Sequence, residues 1–289
     1  MLLLTGASGK TGKALIQALS KVESVCALVH REEHVMVAKS LGAVKVIVGD
    51  LRQEGAIRSA MLGVRAIYHI CPNMSPDEAV IGKLVIDAAR EGGVEQFVYH
   101  SVLHPQTEKM QHHWAKLRVE EMILEPGLAF TILQPAPYMQ NLLAGWKSIV
   151  EDGVLRIPYS VNSHFSFIDL ADLAEAAQIV LTEPNHTNAT YELAGTLPMS
   201  HAVAAKIFSS VLNRTVRAEK EEIGDWKLRA EQNAGMSKYA LENLIKMFAY
   251  YDQWGLVGNP NVLKWILKRK PTSFESFVQR AYQERNAIH

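Results

Sequence analysis

The sequence predicts an α/β protein, a doubly wound parallel sheet with a smaller, mostly helical lobe toward its C-terminal end. Three observations carry that expectation. Through the first half of the chain, short apolar runs alternate with segments of helical periodicity, the spacing that right-handed crossovers between parallel strands produce. The first apolar run leads into a turn with glycines three apart, Gly6, Gly9 and Gly12, and then into a helix. In the second half the strand signals shorten and helices rich in aromatic residues take over.

The opening strand, turn and helix form a nucleotide cradle of the Rossmann type. Gly6 allows the tight turn, Gly9 lets the backbone approach a pyrophosphate, and Gly12 lets the helix, about Lys13 to Lys21, pack close to the strand. The helix then points its first amides at the phosphates. Ser8, Lys10 and Thr11 share the turn and belong to the expected cofactor contacts. A mononucleotide P-loop fits in neither register. It needs a glycine five residues before the one preceding its Lys, where Leu4 stands before Gly9 and Ala7 before Gly12.

A second strand, Ser24 to Arg31, ends where an acid would accept the ribose hydroxyl of NAD or an Arg would pair with the 2′-phosphate of NADP. Arg31 stands there, so NADP(H) is expected in preference to NAD(H), although Glu32 and Glu33 follow and a solvated loop charge is the other reading. After a short helix, Val44 to Leu51 is a third strand. Its Asp50 either accepts a bond from the adenine amino group or caps the next helix, about Glu54 to Met61, and Leu51 lies beside it. The fourth strand ends in Ile70, Cys71 and Pro72, expected under the cofactor ribose.

Helix Asp77 to Glu91 leads to a fifth strand, Gln96 to Ser101. Ligands of such sheets sit outside the carboxyl ends of the strands, which selects His100, Ser101 and, in the next loop, His104. On the helix Gln111 to Leu124, His112 and Lys116 lie one turn apart on one face, flanked by His113 and Trp114. A sixth strand ends at Pro135, and Tyr138 and Asn141 follow; Pro135 and Tyr138, with His100, Ser101 and Lys116, are expected cofactor contacts.

Composition narrows the function. The chain has 289 residues with 30 basic and 30 acidic side chains, so it can bury a large core and carries no net charge to attract nucleic acid or an acidic membrane surface. Cys26 and Cys71 lie in apolar runs, with no disulfide framework or zinc spacing, and no metal site is expected. No apolar run reaches membrane-spanning length and no leader precedes the first strand, so a soluble cytoplasmic protein is expected.

At these residues the sequence resembles the NmrA-like group of atypical short-chain dehydrogenases/reductases. The features that match are the glycine turn, Arg31, Gly49-Asp50-Leu51, the Phe97 to Ser101 strand, Lys116 with Arg118 and Glu121, Thr131 to Pro135, and Tyr138. Lys270 to Phe277 also looks like the group's C-terminus. The wider superfamily's Tyr-x-x-x-Lys pair is incomplete, because His112 stands at the Tyr position. The resemblance implies Lys116 as the acid/base group, with His112 or His113 as proton relay or substrate orienter; the other reading is that Lys116 only holds the nicotinamide ribose and the histidines are exposed. His104, Trp114, Tyr138 and Asn141 are the expected substrate contacts.

In the second half, Leu155 to Tyr159 and Ser163 to Asp169 read as short strands. Asp169 and Asp172 look like caps of the helix Leu173 to Leu181, and Thr190 to Gly195 returns a strand to the sheet. Helices near Ser200 to Leu212, Ile223 to Ala234, Lys238 to Trp254 and Phe274 to Glu284 make the lobe. The expected division is 1–153 for the NAD(P)-binding domain and 154–289 for a substrate lobe partly interleaved with the sheet. The function expected is an NADPH-dependent reductase passing hydride to a small hydrophobic electrophile such as a quinone or enone. The alternative is a non-catalytic NADP(H)-binding redox sensor acting through a protein partner; a homodimer stays open.

Overall fold

The computed structural model describes residues 1–125, 127–232 and 236–286. By contacts, the chain divides into two compact units. The first comprises Met1–Glu108, His112–Gln134 and Leu173–Tyr191, and the second Lys109–Gln111, Pro135–Asp172 and the chain from Glu192 on.

The first half of the chain alternates β1 (Leu2–Leu4), α1 (Lys10–Leu19), β2 (Val25–Val29), α2 (Val35–Ser40), β3 (Lys45–Val48), α3 (Glu54–Met61), β4 (Ala66–His69), α4 (Glu78–Glu91), β5 (Gln96–His100), α5 (Gln111–Leu124) and β6 (Phe130–Pro135). Then follow α6 (Trp146–Glu151), β7 (Val154–Ile157), β8 (His164–Phe165), α7 (Leu170–Thr182) and β9 (Ala189–Leu193). Seven strands form one sheet in the order β3-β2-β1-β4-β5-β6-β9. The pairings β3-β2, β2-β1, β1-β4, β4-β5 and β5-β6 are all parallel. Chain order reverses beside β1, so the carboxyl ends of β1 and β4 flank the crevice where such sheets take ligands. Every residue of β1, β2, β4 and β5 is buried, as strands covered on both faces must be, whereas β3 lies at the edge and is partly exposed.

One apolar cluster joins Leu3, Ile67, Phe97 and Tyr99 of the sheet to Ile57, Ile81, Val85, Val119 and Ile123 of α3, α4 and α5. Helices α4 and α5 meet closely at Gly82, where a Cβ would stand 2.6 Å from Val119 Cγ2. This approach brings the residues one turn earlier on each helix within reach of one another.

The remaining elements are β10 (Met199–Ser200), α8 (His201–Leu212), β11 (Arg217–Lys220), α9 (Ile223–Gln232), α10 (Lys238–Trp254), α11 (Asn261–Leu267) and α12 (Phe274–Asn286). Two small sheets accompany them, β10 antiparallel to β8 and β11 parallel to β7. The expected end of the α9 segment at Ala234 lies outside the described residues. Helix α1 begins three residues earlier than its sequence suggests, because Gly9 already serves as its N-cap. Helix α7 likewise begins at Leu170, so Asp172 lies inside it rather than ahead of it. Asp169 does bond the Ala171 amide at 3.1 Å, as a cap does, and also accepts from Gln140 at 2.7 Å and Arg280 at 2.5 Å. Asp172, fully buried, accepts from Arg269 at 2.7 Å and from the Thr272 amide and hydroxyl at 2.6 and 3.0 Å. A buried carboxylate needs donors, and here they come from the chain's far end. Among the described residues no helix is long and apolar enough to cross a membrane, and no group of His, Cys, Asp and Glu is arranged to hold a metal ion.

Candidate active site

The three glycines of the turn have separate causes. Gly6 adopts φ +61°, and a Cβ there would stand 2.8 Å from Ile70 Cβ. A Cβ on Gly12 would meet the Gly6 carbonyl at 2.4 Å. Gly9 is different. Its backbone is extended at φ −74° and ψ 170°, and an added Cβ would meet only the Gly6 carbonyl at 3.4 Å. The chain's own packing requires Gly6 and Gly12 but not Gly9, whose missing side chain leaves room for a ligand. Helix α1 opens beside it with no side-chain cap and no acid in its first turn. An anion suits that helix end, and the residues fit a dinucleotide pyrophosphate. Ser8 and Thr11 are half-buried and Lys10 is exposed around the same turn.

Arg31 follows β2 and forms an ion pair with Glu33 at 2.9 Å, both largely exposed. Asp50 does not cap α3, whose N-cap is Gln53; its carboxylate accepts the Arg52 amide at 2.9 Å instead. Leu51 and Cys71 are buried, Ile70 is half-buried and Pro72 is exposed.

Beneath α4 and α5 the carboxyl ends of the strands carry a polar layer. Thr5 Oγ1 donates to the Ile70 carbonyl at 3.1 Å and accepts the Ile70 amide at 2.9 Å. His69 Nδ1 lies 2.8 Å from the same hydroxyl, and with the hydroxyl proton on Ile70 the imidazole is the donor. The His69 ring stacks on Tyr99 with centroids 5.9 Å apart. Tyr99 donates to Glu78 Oε1 at 2.9 Å, and Lys116 reaches the same oxygen at 3.0 Å. Lys116 also donates to the His100 carbonyl at 3.1 Å. One turn further along the same face of α5, Ser101 donates to Glu120, whose two oxygens also accept from Gln134 at 2.9 and 3.0 Å. His100 points the other way and meets Tyr68 at 2.8 Å.

His112 and His113 are both buried, not exposed helix residues. Burial, then the Lys116 charge, holds His112 well below the usual imidazole range. Burial pushes His113 down to about 4 against the opposing pull of the His104 and Leu103 backbone. His69 and His100 are pushed down to about 3, by burial first and the Lys116 charge second. Around neutral pH these four imidazoles are uncharged, so Lys116 is the cation of the layer. Burial raises the Glu120 carboxyl, although Ser101 and Gln134 pull it back.

Of the expected site residues, the fold thus brings His100, Ser101, Cys71, His112, His113 and Lys116 together with the strand ends. Trp114 turns outward on α5 and carries the Arg118 guanidinium 4.5 Å from its ring centre. His104 takes φ +54° and offers its carbonyl to His113 at 3.3 Å. Pro135, Tyr138 and Asn141 belong to the second unit, where the Asn141 amide bonds the Tyr138 carbonyl at 3.0 Å. Glu78, Tyr99, His69, Glu120 and Gln134 went unselected from sequence. A signal existed for the two acids: Glu78 shares a helix face with Ile81, Gly82 and Val85, and Glu120 with Lys116 and Ile123. An acid on an apolar stripe needs a buried partner.

A parallel sheet that reverses beside β1, with a glycine turn open to a pyrophosphate, defines a dinucleotide-binding protein of the Rossmann class. The chain belongs to the NmrA-like family, whose model matches residues 1–278. It is 26% identical over 281 residues to NAD(P)H azoreductase of Xenophilus azovorans, covering 96% of this chain and 97% of that one. It is 30% identical over 197 residues to quinone oxidoreductase 2 of Escherichia coli K12, covering 68% of each. The fold superimposes on the crystal structure of NADPH-dependent quinone oxidoreductase QOR2 from E. coli complexed with NADPH with a TM-score of 0.84. The identity there is 24%, over 98% of this chain and 100% of that one.

Two expectations follow. Gly9→Ala should leave the urea midpoint near wild type and weaken dinucleotide binding about tenfold or more, whereas Gly12→Ala should destabilise the fold by about 1–3 kcal/mol, the cost of overpacking a filled site. Equal stability of the two variants would refute the separation of roles. The second concerns acid. The buried histidines titrate lower folded than unfolded, from 6.5 to about 3 for His69 and His100 and about 4 for His113. The unfolded chain therefore binds protons first. Stability is complete above about pH 6.5 and is lost as pH falls below it, by up to about 1.4 kcal/mol per histidine per pH unit. Urea midpoints measured from pH 8 to 5 should be level at first and then drop steeply; a level profile to pH 5 would contradict the assignment.

Proposed function

We propose that this protein is an NADPH-preferring reductase of the NmrA-like type, acting on a small hydrophobic electrophile such as a quinone or enone. The observation that carries the proposal is a single buried ammonium, Lys116, set at the strand ends among uncharged imidazoles. Similarity to an azoreductase and a quinone oxidoreductase supports the same class. Gly6, Ser8, Gly9, Lys10, Thr11 and Gly12 would hold the pyrophosphate, Arg31 the 2′-phosphate, and Asp50, Leu51, Ile70, Cys71 and Pro72 the adenosine side. When bound, the nicotinamide supplies the hydride.

What the chain's own residues add is electrostatic. Hydride addition to a quinone or enone leaves negative charge on an oxygen, and a fixed cation in a water-poor site stabilises that charge strongly. Two of the three N–H groups of the Lys116 ammonium are engaged, by Glu78 and the His100 carbonyl. The third has no partner among the described residues and is available to a substrate oxygen. In this reading Lys116 meets the developing charge and gives up the proton, and neutral His112, one turn away on the same helix face, is its relay, with His113 beside it. His104, Trp114, Tyr138 and Asn141 remain the candidate substrate contacts.

Two observations favour a second reading, a redox sensor that binds NADP(H) and signals through a protein partner: His112 occupies the place of the superfamily Tyr, and Lys116 is 5% exposed. Following NADPH oxidation with quinones, enones and azo or triarylmethane dyes separates the two. Lys116→Ala should lower turnover about a hundredfold or more while the NADPH Kd changes only a few-fold. Equal loss of both would reduce Lys116 to a binding role, and no turnover by folded, NADPH-bound protein would favour the sensor. Arg31→Ala should weaken NADPH about tenfold and leave NADH unchanged, because only the former carries the 2′-phosphate; parallel losses would remove Arg31 from cofactor choice.

A further inference from the structure

We propose that Glu78, at the start of α4, is the positioning residue of this site: it holds Lys116 as a fixed ammonium at the end of β5. The inference rests on the role given to Lys116 above. Glu78 is 1% exposed and Lys116 5%, and removing two opposite charges from water is costly even when they pair. An apolar pair of similar volume would serve stability at least as well, so the ion pair is explained by what it does to the lysine. Glu78 Oε1 takes both the ammonium and the Tyr99 hydroxyl, which fixes the carboxylate against the sheet. The Tyr99 ring also lies 5.3 Å from Lys116 Nζ. The close approach of Gly82 and Val119 holds α4 and α5 at the separation this bridge needs.

The other groups that sense the Lys116 charge leave Glu78 as its counterion. From β4 and the residues after it these are His69 and Cys71, from β5 His100, and from α5 itself His112, His113 and Glu120. The four imidazoles are neutral, and burial pushes the Cys71 thiol up, so it too is uncharged. The Glu120 carboxylate is occupied by Ser101 and Gln134. Without the Glu78 charge, a buried ammonium would give up its proton more readily.

The test is a Glu78→Gln variant of the full chain with lysines labelled at Cε by carbon-13, the Lys116 resonance being assigned with Lys116→Arg. In wild type and variant alike the spectrum is followed from pH 6 to 11 without cofactor. Lys116 should titrate at lower pH in Glu78→Gln. With a quinone and NADPH, the variant's kcat should fall about tenfold or more at pH 9, recover toward wild type at pH 6, and leave KM little changed. Glu78→Asp keeps the charge and retracts it by one methylene: its Lys116 titration should match wild type while kcat falls. If Glu78→Gln does not fold, the Asp variant decides, and a wild-type kcat there overturns the proposal. An unchanged Lys116 titration in folded Glu78→Gln overturns it even if the protein reduces quinones, as does a kcat loss equal at every pH. A shifted titration in a protein that reduces nothing overturns the reductase reading and leaves the hold of Glu78 on Lys116 standing.

Discussion

Four adjacent strands of the sheet, β1, β4, β5 and β6, end on or beside polar side chains with little access to water, and helices α4 and α5 supply partners to them. Thr5 follows β1, His69 ends β4, Tyr99 and His100 end β5, and Gln134 lies near the end of β6. A buried polar group without a partner costs about as much as the hydrogen bond it lacks. Helix α4 therefore carries Glu78 on an otherwise apolar face, and α5 carries Lys116 and Glu120 beside His112, His113, Val119 and Ile123. The layer that results is a hydrogen-bonded part of the core.

Burial sets this layer apart from the chain's surface charges. Arg31–Glu33 and Arg52–Asp77 are largely exposed ion pairs and contribute little to stability. An arginine in such a weak, exposed pair can change partners at small cost. The buried Lys116–Glu78 pair is the opposite case, since neither partner can move to water without exposing the other's charge to an apolar interior.

The second unit uses the same physics for a structural purpose. Asp169 and Asp172 are fully buried, and their donors, Arg280, Arg269 and Thr272, tie the C-terminal segment to the start of α7. Aromatic packing completes it: Tyr159, Phe165 and Tyr251 surround one another at 5.2–5.6 Å, with His201 edge-on to Phe165 at 5.0 Å. Phe165 and Tyr251 are core side chains of this unit, whereas the helical aromatics Trp254 and Trp265 are largely exposed.

The sequence by itself determined the α/β order, the parallel sheet and the steric need for glycine at Gly6 and Gly12, because strand and helix periodicity and the steric needs of a tight turn are local properties. It also placed His112 and Lys116 on one helix face, since that follows from 3.6 residues per turn. It could not decide what Lys116 touches. Glu78 lies 38 residues away, and the two meet only because Gly82 lets α4 approach Val119 closely. Nor could it decide the charge of the histidines, which depends on burial, or that Asp172 would bind Thr272 and Arg269 a hundred or so residues on. Propensity and pattern act between neighbours along the chain, whereas desolvation and ion pairing act between neighbours in space, and only the folded sheet brings those together.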